Sequence, residues 1–377
     1  MIPEDTQYKV CFVVHKRFLS PLYEALAKRT QLLSSIADLS TPILSEEGYI
    51  RFIRTPVHAF GLHTLMQALR RETQSPLYVS RLGKYLKSTA PDALVVFDIY
   101  HWYTLQGLLY KIQHPNVKFF IWSESRFFPR NVFFAFAFRL FLGILRIASR
   151  NVDAVFVYTN EGERFMQKAL PGVPIRIMMA PIDTEKFFPE VHKQFMPEGE
   201  LRILMNARFV AYKRHGDILR ALRILHDKQV PATLSLIGTE GHLKEIISNE
   251  AASLGLAETV TFLEKVPPEE ILEVYRAHDV LVLPSLNEAI GMVVPEAMAS
   301  GIPTVTSDTV GANLYVVSGE TGYIYPTGDA TALARDLERL ANPEVLARFG
   351  AAARKRIEER FTPEHISEQF MSELVHD

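Results

Sequence analysis

Short runs of aliphatic, β-branched and aromatic residues recur along the chain, and between them apolar residues return every three or four positions. In the first half Val10–Val14, Leu94–Phe97, Phe119–Trp122 and Val155–Tyr158 read as strands. In the second half Leu201–Met205, Leu234–Ile237, Val260–Leu263, Val280–Leu283 and Thr304–Thr306 read the same way. These runs are nearly continuous rather than alternating, as expected for parallel strands covered on both faces. The intervening stretches carry helical spacing, for example Ile218, Leu219, Leu222 and Leu225. Strand-then-helix repetition predicts a doubly wound α/β architecture.

These nine segments suit two such sheets better than one. A Pro-containing turn, Ala180-Pro181-Ile182-Asp183-Thr184, closes the first series, and the polar stretch Met196-Pro197-Glu198-Gly199-Glu200 precedes the second. The expected organisation is therefore a domain over 1–182, a second over 183–361, and a C-terminal helix over 362–377. Residues 31–90 have mixed periodicity and give no motif. Two facing parallel sheets form a cleft at the carboxyl ends of their strands, where open α/β folds bind ligands. The loops after strands are thus the places to look for chemistry.

After the strand ending at Leu283 comes Asn287-Glu288-Ala289-Ile290-Gly291-Met292-Val293-Val294-Pro295-Glu296, with a short helix that ends at Gly301. A helix starting between Gly291 and Pro295 aims free backbone N–H groups outward, which favours a phosphate. Carboxylates beside phosphate are repelled, so Glu288 and Glu296 suit hydroxyls of a ribose or sugar. A loop glutamate and a helix-dipole glutamate is the structural alternative. Arg208 and Lys213 follow the strand Leu201–Met205 and form a cation pair able to neutralise a diphosphate, or simply a solvated basic loop. Gly238 ends another strand and permits close backbone approach to a ligand.

Taken in order, these pieces resemble the retaining glycosyltransferases of family four, glycosyl transferases group 1, with the two-domain GT-B fold. The match runs from roughly Ala180 to Tyr325. It takes in Pro181-Ile182-Asp183-Thr184-Glu185-Lys186-Phe187, the Arg208 to Lys213 spacing, Gly238, the two-glutamate segment and Ser318-Gly319-Glu320-Thr321-Gly322-Tyr323. The resemblance implies that Arg208 and Lys213 hold the donor diphosphate, and that Glu288 with the backbone of Ile290, Gly291, Met292 and Val293 faces the donor sugar and phosphates. It implies that Glu296 holds the ribose, that configuration is retained, and that neither a metal nor a cofactor is needed. The donor is then a UDP- or GDP-linked hexose and the acceptor a glycan or lipid-linked group. In such relatives a C-terminal segment like Thr362 to Leu374 packs back on the first domain.

The sequence departs from the family in three places. The loop after the first strand, His15-Lys16-Arg17-Phe18-Leu19-Ser20-Pro21, lacks the usual glycines, so Lys16 is a candidate on the acceptor side or as their substitute. Asn206-Ala207 stand where a glycine usually precedes the arginine. Ser123-Glu124-Ser125-Arg126 replaces a common histidine, making Glu124 a candidate for orienting the acceptor. His101 is a further acceptor-side candidate, or a packed histidine at a helix start. His58 and His63 have no partner carboxylate at ligand spacing, so no metal site is read.

Charge refines the picture. Lys plus Arg number 41 against 43 Asp plus Glu, which argues against a broadly basic nucleic-acid binder. One cysteine, Cys11, fits a reducing, cytoplasmic setting, and the start of the chain suggests no secretory signal. Residues 126–150 hold arginines at 126, 130, 139, 146 and 150, no acid, and a run of Phe, Leu and Ile. That is the profile of a peripheral helix on an anionic membrane, or of a buried helix with snorkelling arginines. Two other functional readings remain open: a GT-B nucleotide-sugar epimerase, which the paired-glutamate segment disfavours, and a catalytically silent scaffold subunit.

Overall fold

The computed structural model describes residues 9–13, 20–27, 31–33, 57–59, 77–79, 82–125, 132–238, 243–263 and 266–375. Lys16, Arg126 and Arg130 lie outside these residues. The chain divides into two compact units, Met1–Pro181 with Pro363–Asp377, and Ile182–Thr362.

The first unit contains β1 (Lys9–Val13), β2 (Gln31–Leu33), β3 (Val57–Ala59), β4 (Leu77–Val79), β5 (Ala93–Phe97), β6 (Lys118–Ser123), β7 (Ala154–Val157) and β8 (Ile175–Ile177). β3 and β4 pair antiparallel, and the other six form a parallel sheet in the order β2-β1-β5-β6-β7-β8. The second unit contains β9 (Leu201–Asn206), β10 (Ala232–Ile237), β11 (Val260–Leu263), β12 (Val280–Leu283), β13 (Thr304–Ser307) and β14 (Gly322–Tyr325). They form a parallel sheet in the order β11-β10-β9-β12-β13-β14. The nine segments expected from the sequence are strands, with ends shifted by one or two residues. The five others are three or four residues long; β8 has one buried, one exposed and one intermediate position, so it lacks an apolar run.

Central strands are apolar because both faces are covered. Every residue of β5 and β12 is buried, and helices fill the faces with Leu82 and Leu86 on one unit, Ile218, Leu219, Leu222 and Leu225 on the other. At the amino ends of β9 and β12, the buried Asp279 carboxylate accepts from Arg202 at 2.7 and 3.0 Å and from the Arg202 backbone N–H at 2.9 Å. The Met196 N–H adds a fourth bond at 3.2 Å. A buried charge met by a guanidinium and two amides keeps its partners aligned.

The helix Pro363–Val375 packs within the first unit. Its Phe370 is fully buried, with ring centroids 5.5 Å from Phe12, 5.6 Å from Phe156 and 6.4 Å from a stacked Trp122. Arg176 pairs with Glu373 at 3.1 Å on the rim. Deleting this ring from a packed aromatic cluster leaves a cavity. Phe370→Ala should cost about 3–5 kcal/mol in chemical unfolding monitored through the first unit. An unchanged midpoint would mean that the helix merely adheres.

Candidate active site

In the second unit the order of strands reverses between β9 and β12: β10 and β11 lie on one side, β13 and β14 on the other. Loops leaving the carboxyl ends of β9 and β12 therefore start side by side at this switch point, where open α/β sheets bind ligands. Each loop brings one half of the site.

The β9 loop runs Ala207-Arg208-Phe209-Val210 into a single turn, Ala211–Lys213, closed by the Lys213 N–H to Val210 O at 3.0 Å. Arg214 then takes a left-handed conformation (φ 55°) and starts the helix His215–Asp227. This tight turn places the exposed Arg208 and the buried Lys213 around one ring. Arg208 donates to the Tyr212 hydroxyl, its guanidinium is 6.0 Å from the Tyr212 ring centroid, and the Lys213 ammonium is 5.6 Å from it. The β12 loop is tied on by the Leu286 N–H to Tyr212 O, 2.7 Å, and Lys213 forms an ion pair with Glu288. Lys213 thus links the Tyr212 ring to the Glu288 carboxylate, and Arg208 lies on the same ring.

Glu288 is itself held from the far side. It bridges to Val310, and its carbonyl accepts from the Gly311 N–H at 2.8 Å. Gly291 has φ +66°, and a Cβ there would lie 3.0 Å from a Leu283 methyl and 3.2 Å from the Glu288 side chain. Only glycine fits that turn without strain. Ile290, Gly291 and Met292 lead into the helix Val293–Ala299, whose first turn is already closed by Val294 N–H to Gly291 O at 2.9 Å and Glu296 N–H to Met292 O at 3.1 Å.

Glu296, on the same short helix, has a different setting. It accepts from the Tyr275 hydroxyl at 2.7 Å, and Tyr275 is fully buried. Burial pushes the Glu296 carboxyl up to about 7, against the Tyr275 hydrogen bond and the Lys186 charge, which pull it down. Gly238 is close-packed: a Cβ there would meet the Phe209 ring at 2.5 Å and the Ala207 carbonyl at 2.7 Å. A side chain at position 238 would therefore clash with Phe209 and the Ala207 carbonyl. His215 is buried, its ring 5.1 Å from Phe209, and burial followed by the Lys213 charge lowers its pKa to about 4. It is therefore neutral at physiological pH.

In the first unit Glu124 is held by its backbone to Asp98, which the sequence pattern does not single out. Asp98 follows β5, is buried and has φ 59°, a conformation that Asp tolerates better than most residues. Its carboxylate accepts from the Glu124 N–H at 3.0 Å, from Ser123 Oγ at 3.3 Å and from the Tyr100 hydroxyl at 3.3 Å. His101 is buried between Tyr100 and Tyr103, at 4.4 and 4.7 Å between ring centroids, and heads the helix Trp102–Gln113 without a side-chain capping bond. Its packing matches the structural alternative. Among the described residues no three His, Cys, Asp or Glu side chains converge as metal ligands would.

Residues 187–356, which include Arg208, Lys213, Gly238, Tyr275, Glu288, Gly291 and Glu296, match the family model of "Glycosyl transferases group 1". The match takes in most of the second unit. The D-inositol 3-phosphate glycosyltransferase of Streptomyces avermitilis is 33% identical over 172 residues, 43% of this chain and 37% of that protein. The chain thus matches well under half of that relative's length. The likeness in fold is wider. Sucrose-phosphate synthase from Thermosynechococcus elongatus superposes with a TM-score of 0.69 at 19% identity, covering 97% of this chain and 98% of the other. Anabaena HepE, solved in complex with UDP and glucose, gives 0.66 at 16% identity over 98% and 99%. The group 1 unit and its partner unit thus have the two-sheet GT-B fold expected from the sequence.

The Glu296 setting yields a pH prediction. Its folded pKa lies above the ordinary carboxylate value of 4.5, so its proton is bound more tightly in the folded state. That stabilisation is complete below about pH 4.5 and is lost as pH rises through about 7. Glu296→Gln should therefore be more stable than wild type at pH 8, by about 1–3 kcal/mol, and should flatten the decline between pH 5 and 8 in thermal melts. Parallel curves would contradict the assignment.

Proposed function

We propose that the chain is a retaining, metal-independent glycosyltransferase of hexosyl type. It moves a sugar from a UDP- or GDP-linked donor to a glycan or lipid-linked acceptor at the cytoplasmic membrane face. The observation that carries this reading is the meeting of Lys213, Arg208 and Glu288 at the switch point of the group 1 unit. The UDP and glucose in the Anabaena neighbour, and the transferase names of the curated relatives, support the donor class.

The chemistry follows from these positions. As the bond from the anomeric carbon to the diphosphate oxygen breaks, negative charge grows on that oxygen. An ammonium and a guanidinium already in place stabilise it without reorganisation. Lys213 has three donors, of which Glu288 engages one side, so a phosphate oxygen joins the pair rather than displacing it. Glu288 also accepts from a donor-sugar hydroxyl and fixes the ring beside the cations. Glu296, its carboxyl raised by burial, exchanges hydrogen bonds with ribose hydroxyls beside Tyr275. In retention the acceptor hydroxyl approaches the face that the diphosphate leaves, and the departing oxygen takes its proton. The chain has no Asp-x-Asp triplet of the kind that holds a metal-bound diphosphate, which supports the metal-independent form.

Thermal melting with a panel of nucleoside diphosphates, with and without magnesium, tests the donor site. One diphosphate should stabilise wild type equally in both, and Lys213→Ala should weaken its binding by about tenfold to a hundredfold. No shift from any diphosphate at millimolar concentration would sink the proposal in favour of a scaffold. A magnesium requirement would sink its metal-independent part.

Glu288→Gln tests the transfer step. It should lower turnover by about a hundredfold while leaving diphosphate binding within a few-fold of wild type. Equal loss of both would make Glu288 a binding residue only.

A further inference from the structure

We infer that two adjoining helices of the first unit form a docking surface for an anionic lipid bilayer. This deepens the membrane-face part of the proposed function, and it needs no donor to be true.

Eleven large apolar side chains are well exposed among the described residues, and seven of them lie on the helices Trp102–Gln113 and Val132–Ile147. The second helix has two apolar faces. Phe138, Phe141, Leu142 and Leu145 are buried and pack it onto its own unit. Phe136 (69% exposed), Leu140 (53%), Ile144 and Ile147 (88%) point the other way. At 100° per residue these four span an arc of about 80°, so they form one outward stripe. Docking on the sheet needs only the first face. The fold does not account for the second.

The first helix widens the stripe. The Trp102 ring meets Phe141 edge-on at 5.1 Å between centroids, and its outward side adds Leu109 and Ile112, both about half exposed. Charge names the occupant. Arg139 and Arg146 fall on one flank of the stripe, Arg150 follows it, all three are exposed, and the Val132–Ile147 helix carries no acid. Arg146 is fixed in that position by donating to the carbonyls of Ala169 at 2.5 Å and Lys168 at 3.1 Å. Asp153, three residues past Arg150, is paired with Lys111 at 3.2 Å. Apolar side chains flanked by charge of one sign match the boundary of an anionic bilayer, where the side chains enter the acyl region and guanidinium groups meet phosphates. A second copy docked face to face would set arginines against arginines. No helix among the described residues is long and apolar enough to cross a membrane, so the contact is lateral.

The test is sedimentation of the full chain with phosphatidylcholine vesicles, with and without phosphatidylglycerol. Binding should require the anionic lipid and weaken in high salt. The Leu140→Gln/Ile147→Gln double variant should bind about tenfold or more weakly, and Arg139→Gln about fivefold. Ile246→Gln, an exposed apolar position in the other unit, should match wild type. All these positions are exposed, so melting temperatures and diphosphate stabilisation should stay unchanged. Absent binding, equal binding to both vesicles, or variants equal to wild type would overturn the inference. So would self-association that the double variant abolishes, which would assign the face to a second copy. Vesicle binding without diphosphate binding would instead refute the donor site alone.

Discussion

The second unit depends on the adjacency of two strands far apart in sequence. β9 and β12 are neighbours with Ile203 opposite Val280 and Leu204 opposite Leu281. Asp279, buried at their amino ends, holds Arg202 and so fixes their relative height. With the amino ends pinned, the loops at the carboxyl ends must share a small volume. Lys213 and Glu288 meet there. The ion pair is thus an outcome of strand order, and its geometry is inherited from a salt bridge at the opposite edge of the sheet.

That shared volume sorts two similar carboxylates into different chemistry. Glu288 and Glu296 are eight positions apart in one segment, yet one faces an ammonium and the other a buried phenol. The first is paired with Lys213. The second has a proton to give or accept near neutral pH. Between them Gly291 makes a left-handed turn, and Glu296 lies beyond it on the helix Val293–Ala299. A nearby histidine, His215, is held neutral by burial and by Lys213, so it adds no further charge to the crevice.

The long buried strands were legible in sequence because burial on both faces writes an unbroken apolar run. So were Arg208, Lys213 and the two-glutamate segment, since each follows such a run. β2, β8 and β14 left little trace, being short and at or near sheet edges, where few positions need to be apolar. Tyr275 was invisible because it reaches Glu296 from another helix, and no local spacing encodes that contact. Asp98 had a weak signal: an aspartate just after a strand, followed by Ile99 and Tyr100, where a left-handed residue ends the run. Gly238 ends a strand as a glycine for a reason the sequence did not show, the close approach of Phe209 and the Ala207 carbonyl. The apolar segment 126–150 could not be divided into inward and outward faces until its neighbours were known.

The first unit is discontinuous: its last helix, Pro363–Val375, comes after the whole of the second unit. During synthesis the sheet of Phe12, Phe120, Trp122 and Phe156 emerges early, while Phe370, which covers them, emerges last. The second unit has all its strands and can close while the first still presents an open aromatic face. Ribosomal order therefore runs against domain order. The N-terminal half matures second, and for the time needed to translate the second unit it offers a sticky surface to chaperones or to other nascent chains.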